Sequence, residues 1–260
     1  MIQNAPTSPA RTSRRPAALL IALCFLLLPV VGAAAASEEM VRSFPLDPDG
    51  SVTLENINGD AVIEGWDRDE VSVEAVLTAD DQATLDKLEV AIDATPRRIR
   101  IETEYPSGSY GRLNVDYTLR VPRGARLDAI ELVNGSLTLR GLSGSITAEL
   151  VNGRVTATEL SGDVELTTVN GKVEVTLDAL EPGRDVTLES VNGSIELAIA
   201  GAVDADVEAS TVHGRIRNDF GLEEEKGRWI GSNLEGTLGA GGSRITLENV
   251  NGSIEIRRAE

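Results

Sequence analysis

The residues with chemical potential sit at recurring positions. Glu55, Glu131, Glu149, Glu189 and Glu248 each lie three residues before an Asn-Gly pair or its counterpart. If those pairs mark equivalent corners of a stack, the carboxylates form a column. Stacked carboxylates repel one another unless water, salt or a cation intervenes. The column formed by Glu131, Glu149, Glu189 and Glu248 is therefore the candidate cation site. Ca²⁺ takes six to eight oxygen ligands, however, and one carboxylate per repeat supplies few, so a solvated acidic face is the competing reading. No cofactor is expected.

Other candidates reduce to turns. A Ser-His-Asp triad would have to use His213, the single histidine, yet His213 fills a position that Asn fills elsewhere. Gly239-Ala240-Gly241-Gly242-Ser243 has the composition of a phosphate loop, but a strand pattern follows it where such a loop would open a helix. Asn134, Asn192 and Asn251 head Asn-Gly-Ser glycosylation triplets that turn chemistry already explains. No catalytic residue is assigned.

The repeat that positions these groups is explicit. An apolar residue followed by Asn-Gly recurs at Ile57-Asn58-Gly59, Val133-Asn134-Gly135, Val151-Asn152-Gly153, Val169-Asn170-Gly171, Val191-Asn192-Gly193 and Val250-Asn251-Gly252, with Val212-His213-Gly214 as a seventh copy. Asn134, Asn152 and Asn170 are 18 residues apart, Asn192 follows after 22 and His213 after 21. Leu142-Ser143-Gly144 and Leu160-Ser161-Gly162 mark a second corner halfway round, and between corners residues alternate with the period of a half-buried strand.

Two folds satisfy this pattern. Asn-Gly is the preferred pair of a type I′ hairpin, which would give an antiparallel β meander. The same corner returning every second strand instead predicts an all-β solenoid of about 18 residues per coil. In it, equivalent positions of stacked coils lie about 4.8 Å apart, Val packs on Val inside, and Asn134, Asn152, Asn170, Asn192 and Asn251 form a hydrogen-bonded ladder. Scarce aromatics suit such a thin core. Trp66 and Trp229 are candidate end caps.

Residues 37–125 read as an irregular β lead-in, continuous with a solenoid over 126–260. The lead-in's longer alternating strands are interrupted by a helical turn between Asp80 and Leu88. The insertions available to a groove are Asp178 to Arg184 and Phe220 to Gly236.

Residues 1–36 have the order of a cleaved signal peptide: Arg11, Arg14 and Arg15, an apolar run from Ala17 to Val31, then small residues to Ala36. Export to the periplasm or cell surface is expected, by the general secretory or twin-arginine route, with no membrane span in the mature chain. Cys24 lies inside the apolar run, so the mature chain has neither disulfides nor thiolate metal sites. The leader carries three arginines and no acidic residue, so its removal leaves a chain more acidic than its formal −18. That charge repels nucleic acid.

Val115-Asp116-Tyr117-Thr118-Leu119-Arg120-Val121-Pro122, the serial Val-Asn-Gly corners and the stretch from Gly239 to Ile254 resemble the bacterial adhesin-like β-strand-repeat domain of unknown function. The resemblance covers nearly all of the mature chain. It implies a β-helix-like fold at the cell envelope and carries no catalytic residues. The expected function is a non-enzymatic envelope protein that presents its repeat surface to an envelope protein or glycan. A β-helix carbohydrate-active enzyme and an envelope-stress sensory module are the alternatives.

Overall fold

The computed structural model describes residues 35–108, 111–201, 203–226 and 231–259. The expected leader and Trp229 lie outside the described residues. Within them the chain is almost entirely strand. β1 (Ala36–Pro45), β2 (Ser51–Asn58), β3 (Ala61–Trp66) and β4 (Glu70–Ala79) precede a helical turn, α1 (Gln82–Leu85). Asp81 caps that turn by accepting from the Thr84 N–H at 2.8 Å. β5 (Glu89–Thr95), β6 (Arg98–Glu104) and β7 (Leu113–Pro122) follow.

The repeats then give β8 (Arg126–Asn134), β9 (Leu137–Arg140), β10 (Ile146–Asn152), β11 (Val155–Thr158), β12 (Val164–Leu177) and β13 (Asp185–Ile199). Beyond these lie β14 (Ala205–His213), β15 (Ile216–Asn218), β16 (Glu223–Lys226), β17 (Ser232–Leu238), β18 (Ser243–Asn251) and β19 (Ile254–Arg258). β12 and β13 each run through a corner without a break, so each supplies a whole coil.

The coils are parallel. On one side β6, β2, β8, β10, the first half of β12, the first half of β13, β18 and β14 pair in that order, all parallel. β5 closes this sheet at one end, and β17 followed by β16 closes it at the other, all antiparallel. On the other side β7, β3, β9, β11, the second halves of β12 and β13, β19 and β15 run parallel. There β4 and then β1 add antiparallel to β7. The fold is a β-solenoid, and the antiparallel meander is not formed.

Alternation fills the space between the two sheets. Leu54, Ile130, Leu166, Leu188 and Leu247 stack in one interior row, and Leu137, Val155, Val173, Ile195 and Ile254 in another, all at most 2% exposed. Each such side chain contributes about 1.5–3 kcal/mol by leaving water. β-branched residues suit these positions because their stiff χ1 packs well on a pleated surface.

Three features of the stack were not read from the sequence. First, the corner asparagines do not form type I′ turns: no described Asn has positive φ, and Glu159 is the one described non-glycine residue that does. Glycine is required at the corners for close approach instead. A Cβ on Gly135, Gly153, Gly171 or Gly193 would lie 1.6–1.9 Å from the carbonyl oxygen of the corner glycine in the neighbouring coil.

Second, coil order is not chain order. β18 and β19 insert between β13 and the coil of β14 and β15, so Asn192 neighbours Asn251, and His213 lies beyond Asn251. Third, Ser51–Trp66 takes a full place in the stack, with Asn58 in register with Asn134.

Candidate functional site

The Asn-Gly corners lie where the two sheets meet. Each asparagine Nδ2 donates to the Oδ1 of its neighbour: Asn134 to Asn58 at 3.0 Å, Asn152 to Asn134 at 2.9 Å and Asn170 to Asn152 at 2.9 Å. Asn192 donates to Asn170 at 3.1 Å, and Asn251 to Asn192 at 2.9 Å. All the bonds point one way, toward Asn58. At that end the Tyr105 hydroxyl seals the ladder, donating to Asn56 Oδ1 at 2.8 Å and accepting from the Asn58 N–H at 3.0 Å. At the other end stands His213, exposed and in register with Asn251.

The carboxylate column forms two runs. Glu55, Glu131 and Glu149 are in register on successive coils, Thr167 follows, and then Glu189 and Glu248. Arg100 bridges Glu55 at 2.8 Å and Glu102 at 3.2 Å. Among the described residues, Glu131, Glu149, Glu189 and Glu248 have no cationic partner. The same residues include no group of three or more His, Cys, Asp or Glu side chains placed to hold a metal ion. One carboxylate per coil does not converge.

Glu189 records the crowding. Its pKa is raised, first by burial and then by the negative charges of Glu248 and Glu165. A carboxyl group with a raised folded pKa weakens the fold as pH climbs through the window between its unfolded value, about 4.3, and its folded value. Above that window the penalty is fully present. Glu189→Gln is thus expected to raise Tm at pH 7 and to give no gain below about pH 4. Thermal melts at the two pH values check this, and an equal shift at both would point to packing instead of charge.

Beside the carboxylates runs a row that sequence reasoning placed inside. Ile57, Val133, Val151, Val169, Val191, Val250 and Val212 are 38–46% exposed, the most exposed large apolar residues among the described residues apart from Val41. Strand parity explains the reversal. Positions three and one before the Asn point to the same face, so an outward Glu forces an outward Val. That Glu-x-Val parity was the available signal. Two shallow hollows flank the row, one of 220 Å³ lined by Glu55, Ile57, Glu131 and Val133, and one of 170 Å³ lined by Glu189, Val191, Glu248 and Val250.

The outer face of the second sheet is different, because it carries an ion-pair network that crosses four coils. Arg154 meets Glu174 at 3.1 Å, Lys172 bonds both Glu174 and Glu196, and Arg257 also bonds Glu196. The Lys172 pKa is raised, chiefly by Glu174 and then Glu196, while that of Glu196 is lowered, chiefly by Lys172 and then Arg257. Arg154, Lys172, Glu174, Glu196 and Arg257 thus form one ion-pair network.

The remaining sequence candidates serve as connectors. Between β17 and β18, Gly239, Gly241 and Gly242 have positive φ, and the Ala240 N–H donates to the chain's own Asp204 carboxylate at 2.7 Å, so this loop already holds its anion. The Asp178 to Arg184 insertion folds onto the stack, with the Gly183 N–H donating to Ser243 Oγ at 3.1 Å. The described part of Phe220 to Gly236 supplies β16 and β17, which lie over the end of the first sheet. Trp66 donates from Nε1 to the Glu70 carbonyl at 2.8 Å, with Arg68 stacked on its ring at 4.8 Å, and so fixes the β3–β4 turn. No helix of the described residues is long and apolar enough to cross a membrane.

A Clostridium sporogenes protein named a candidate cell adhesion protein is 14% identical, with 86% of this chain and 100% of that one covered and a TM-score of 0.49. A candidate adhesin of Bacteroides fragilis is 11% identical, covering 85% and 97% with a TM-score of 0.31. A candidate adhesin of Parabacteroides merdae is 12% identical, covering 86% and 97% with a TM-score of 0.28. No curated protein sequence matches. The Toastrack DUF4097 family profile matches residues 49–257, nearly the whole solenoid, and the chain belongs to that family.

Proposed function

We propose that this protein is an exported, non-enzymatic binding protein of the bacterial cell envelope, and that its working surface is the flank formed by the carboxylate column and the exposed valine row. The observation that carries this reading is the contrast between the two flanks. On one, Arg154, Lys172, Glu174, Glu196 and Arg257 pair with one another across four coils. On the other, four carboxylates without cations lie beside seven exposed apolar side chains, one per coil.

Such a strip is complementary to a protein segment with basic and apolar side chains. Coulombic attraction to the acidic chain steers encounter, and desolvation of the valine row adds affinity. A glycan is a poorer match, because no described residue of the strip is aromatic and able to stack on a sugar ring. Export rests on the Arg11 to Ala36 leader pattern.

Photo-cross-linking in intact cells tests the reading. A cross-linker at Val169 is expected to give a discrete adduct with an envelope protein. The same group at Thr156, on the opposite flank, is expected to give none. Combined Glu131→Gln, Glu149→Gln, Glu189→Gln and Glu248→Gln substitution is expected to reduce the adduct severalfold. Equal adducts from both flanks, or none from Val169, would reject the proposed surface.

A further inference from the structure

Asn-Gly is chemically fragile. Glycine leaves the following backbone nitrogen unhindered, so once deprotonated it can attack the asparagine Cγ. A new N–C bond then forms as the Cγ–Nδ2 bond breaks, and the departing nitrogen takes protons from water and leaves as ammonia. Water opens the resulting succinimide at either carbonyl, to Asp or isoaspartate. The net change exchanges an amide for a carboxylate and consumes one water, with no oxidant or reductant. Six such pairs line one exposed edge of this protein, at Asn58, Asn134, Asn152, Asn170, Asn192 and Asn251.

The stack blocks the reaction at both ends of the bond to be formed. The electrophilic amide is tied to its neighbours through the one-way ladder described above. The nucleophile is tied as well. The Gly59 N–H donates to the Asn134 carbonyl at 3.0 Å, Gly135 to Asn152 at 3.0 Å, Gly153 to Asn170 at 3.0 Å and Gly252 to His213 at 3.0 Å. Gly171 and Gly193 lie inside the paired strands β12 and β13. Four of the six glycine nitrogens are thus held by a carbonyl of the next coil, and the other two lie within paired strands.

That arrangement has a last member. The Gly214 N–H has no next coil, and among the described residues it has no backbone acceptor. The residue before Gly214 is His213, the one corner position in the series that is not asparagine. Gly214 itself cannot be replaced freely, since a Cβ there would lie 1.7 Å from the Gly252 carbonyl oxygen. At this corner, the open route to removing the liability is to change the residue before the glycine.

We propose that the six Asn-Gly corners are latent deamidation sites kept silent by coil stacking, and that His213 occupies the one corner whose glycine nitrogen the stack leaves free. Isoaspartate at a corner then reports that the coil beyond it has opened.

The test compares wild type and His213→Asn, both confirmed folded by circular dichroism, incubated at mildly alkaline pH and 37 °C. Peptide mass mapping and enzymatic isoaspartate labelling provide the readout. Position 213 of the variant is expected to deamidate at least about tenfold faster than any of the six native corners, a ratio equivalent to about 1.4 kcal/mol of local opening. In denaturant all six native corners of the wild type are expected to react at similar, faster rates. If position 213 of H213N is as inert as the others, the role given to His213 is wrong. If the native corners react as fast folded as in denaturant, protection by stacking is wrong. The denaturant arm uses only the wild-type chain, so failure of the variant to fold would leave that second arm decisive.

Discussion

Gly193→Ala is expected to lower Tm by about 10 °C, a loss of about 3 kcal/mol or more for a chain of this size. The added Cβ would fall 1.6 Å from the Gly171 carbonyl oxygen and 2.7 Å from its carbon, which is backbone and cannot rotate aside. Nor can Gly171 retreat, because its own Cβ position is 1.7 Å from the Gly153 carbonyl oxygen. A shift at one corner is therefore passed along the row, and the interior rows on both sides lose their fit.

Gly183→Ala is the control. Nothing lies within 4 Å of its Cβ position, and the cost there is only the strain of a non-glycine residue at φ +77°, about 1 kcal/mol. Melts that show Gly193→Ala no worse than Gly183→Ala would mean that the corners have slack. The proposed protection of the Asn-Gly pairs would weaken with it, since slack lets the nitrogen reach Cγ.

The role of these glycines also shows how far the sequence could be read. Period-two alternation, the recurrence of Asn-Gly and the second Leu-Ser-Gly corner specify stacked coils, because each position repeats in phase. What the Asn-Gly pair does was harder to see, since one pair serves two geometries. In a hairpin glycine supplies positive φ, and here, at Gly135 through Gly193, it supplies room for a neighbouring backbone. Only the partner strand's position distinguishes them. The candidate flank was half legible. The carboxylates stood out by charge, while the valines beside them were assigned to the interior by polarity alone. Their shared parity with Glu131, Glu149, Glu189 and Glu248 was the stronger cue.

Coil order was not legible at all. Ile245-Thr246-Leu247-Glu248 and Val186-Thr187-Leu188-Glu189 have the same pattern, so either could lie against β14 with equal parity. A repeat states that a coil stacks on a coil, and leaves open which.

This intercalation has a large consequence. Removing residues 243–260 takes out β18 and β19, and with them Ile245, Leu247, Ile254 and Ile256, all fully buried. At about 1.5–3 kcal/mol each, the gross loss is roughly 6–12 kcal/mol before the entropy regained by the released chain. It does not spread evenly, because repeat stacks are stabilised by nearest-neighbour contacts. The coils from β2 to β12 keep their partners, and β13 keeps β12 on one side while losing β18 and β19 on the other. β14 loses its one parallel neighbour and is left in an antiparallel set with β17 and the four-residue β16, without the stacked coils against which its buried face packed. Limited proteolysis of the truncated chain is therefore expected to cut first within residues 205–238 and to leave a resistant fragment ending near Ile199. A resistant fragment extending to Leu238 would instead show β14 docked directly on β13, with His213 against Asn192. That result would mean that the insertion of β18 is one of two accessible coil orders, selected by the extra burial it brings and not by the pairing preferences of β13.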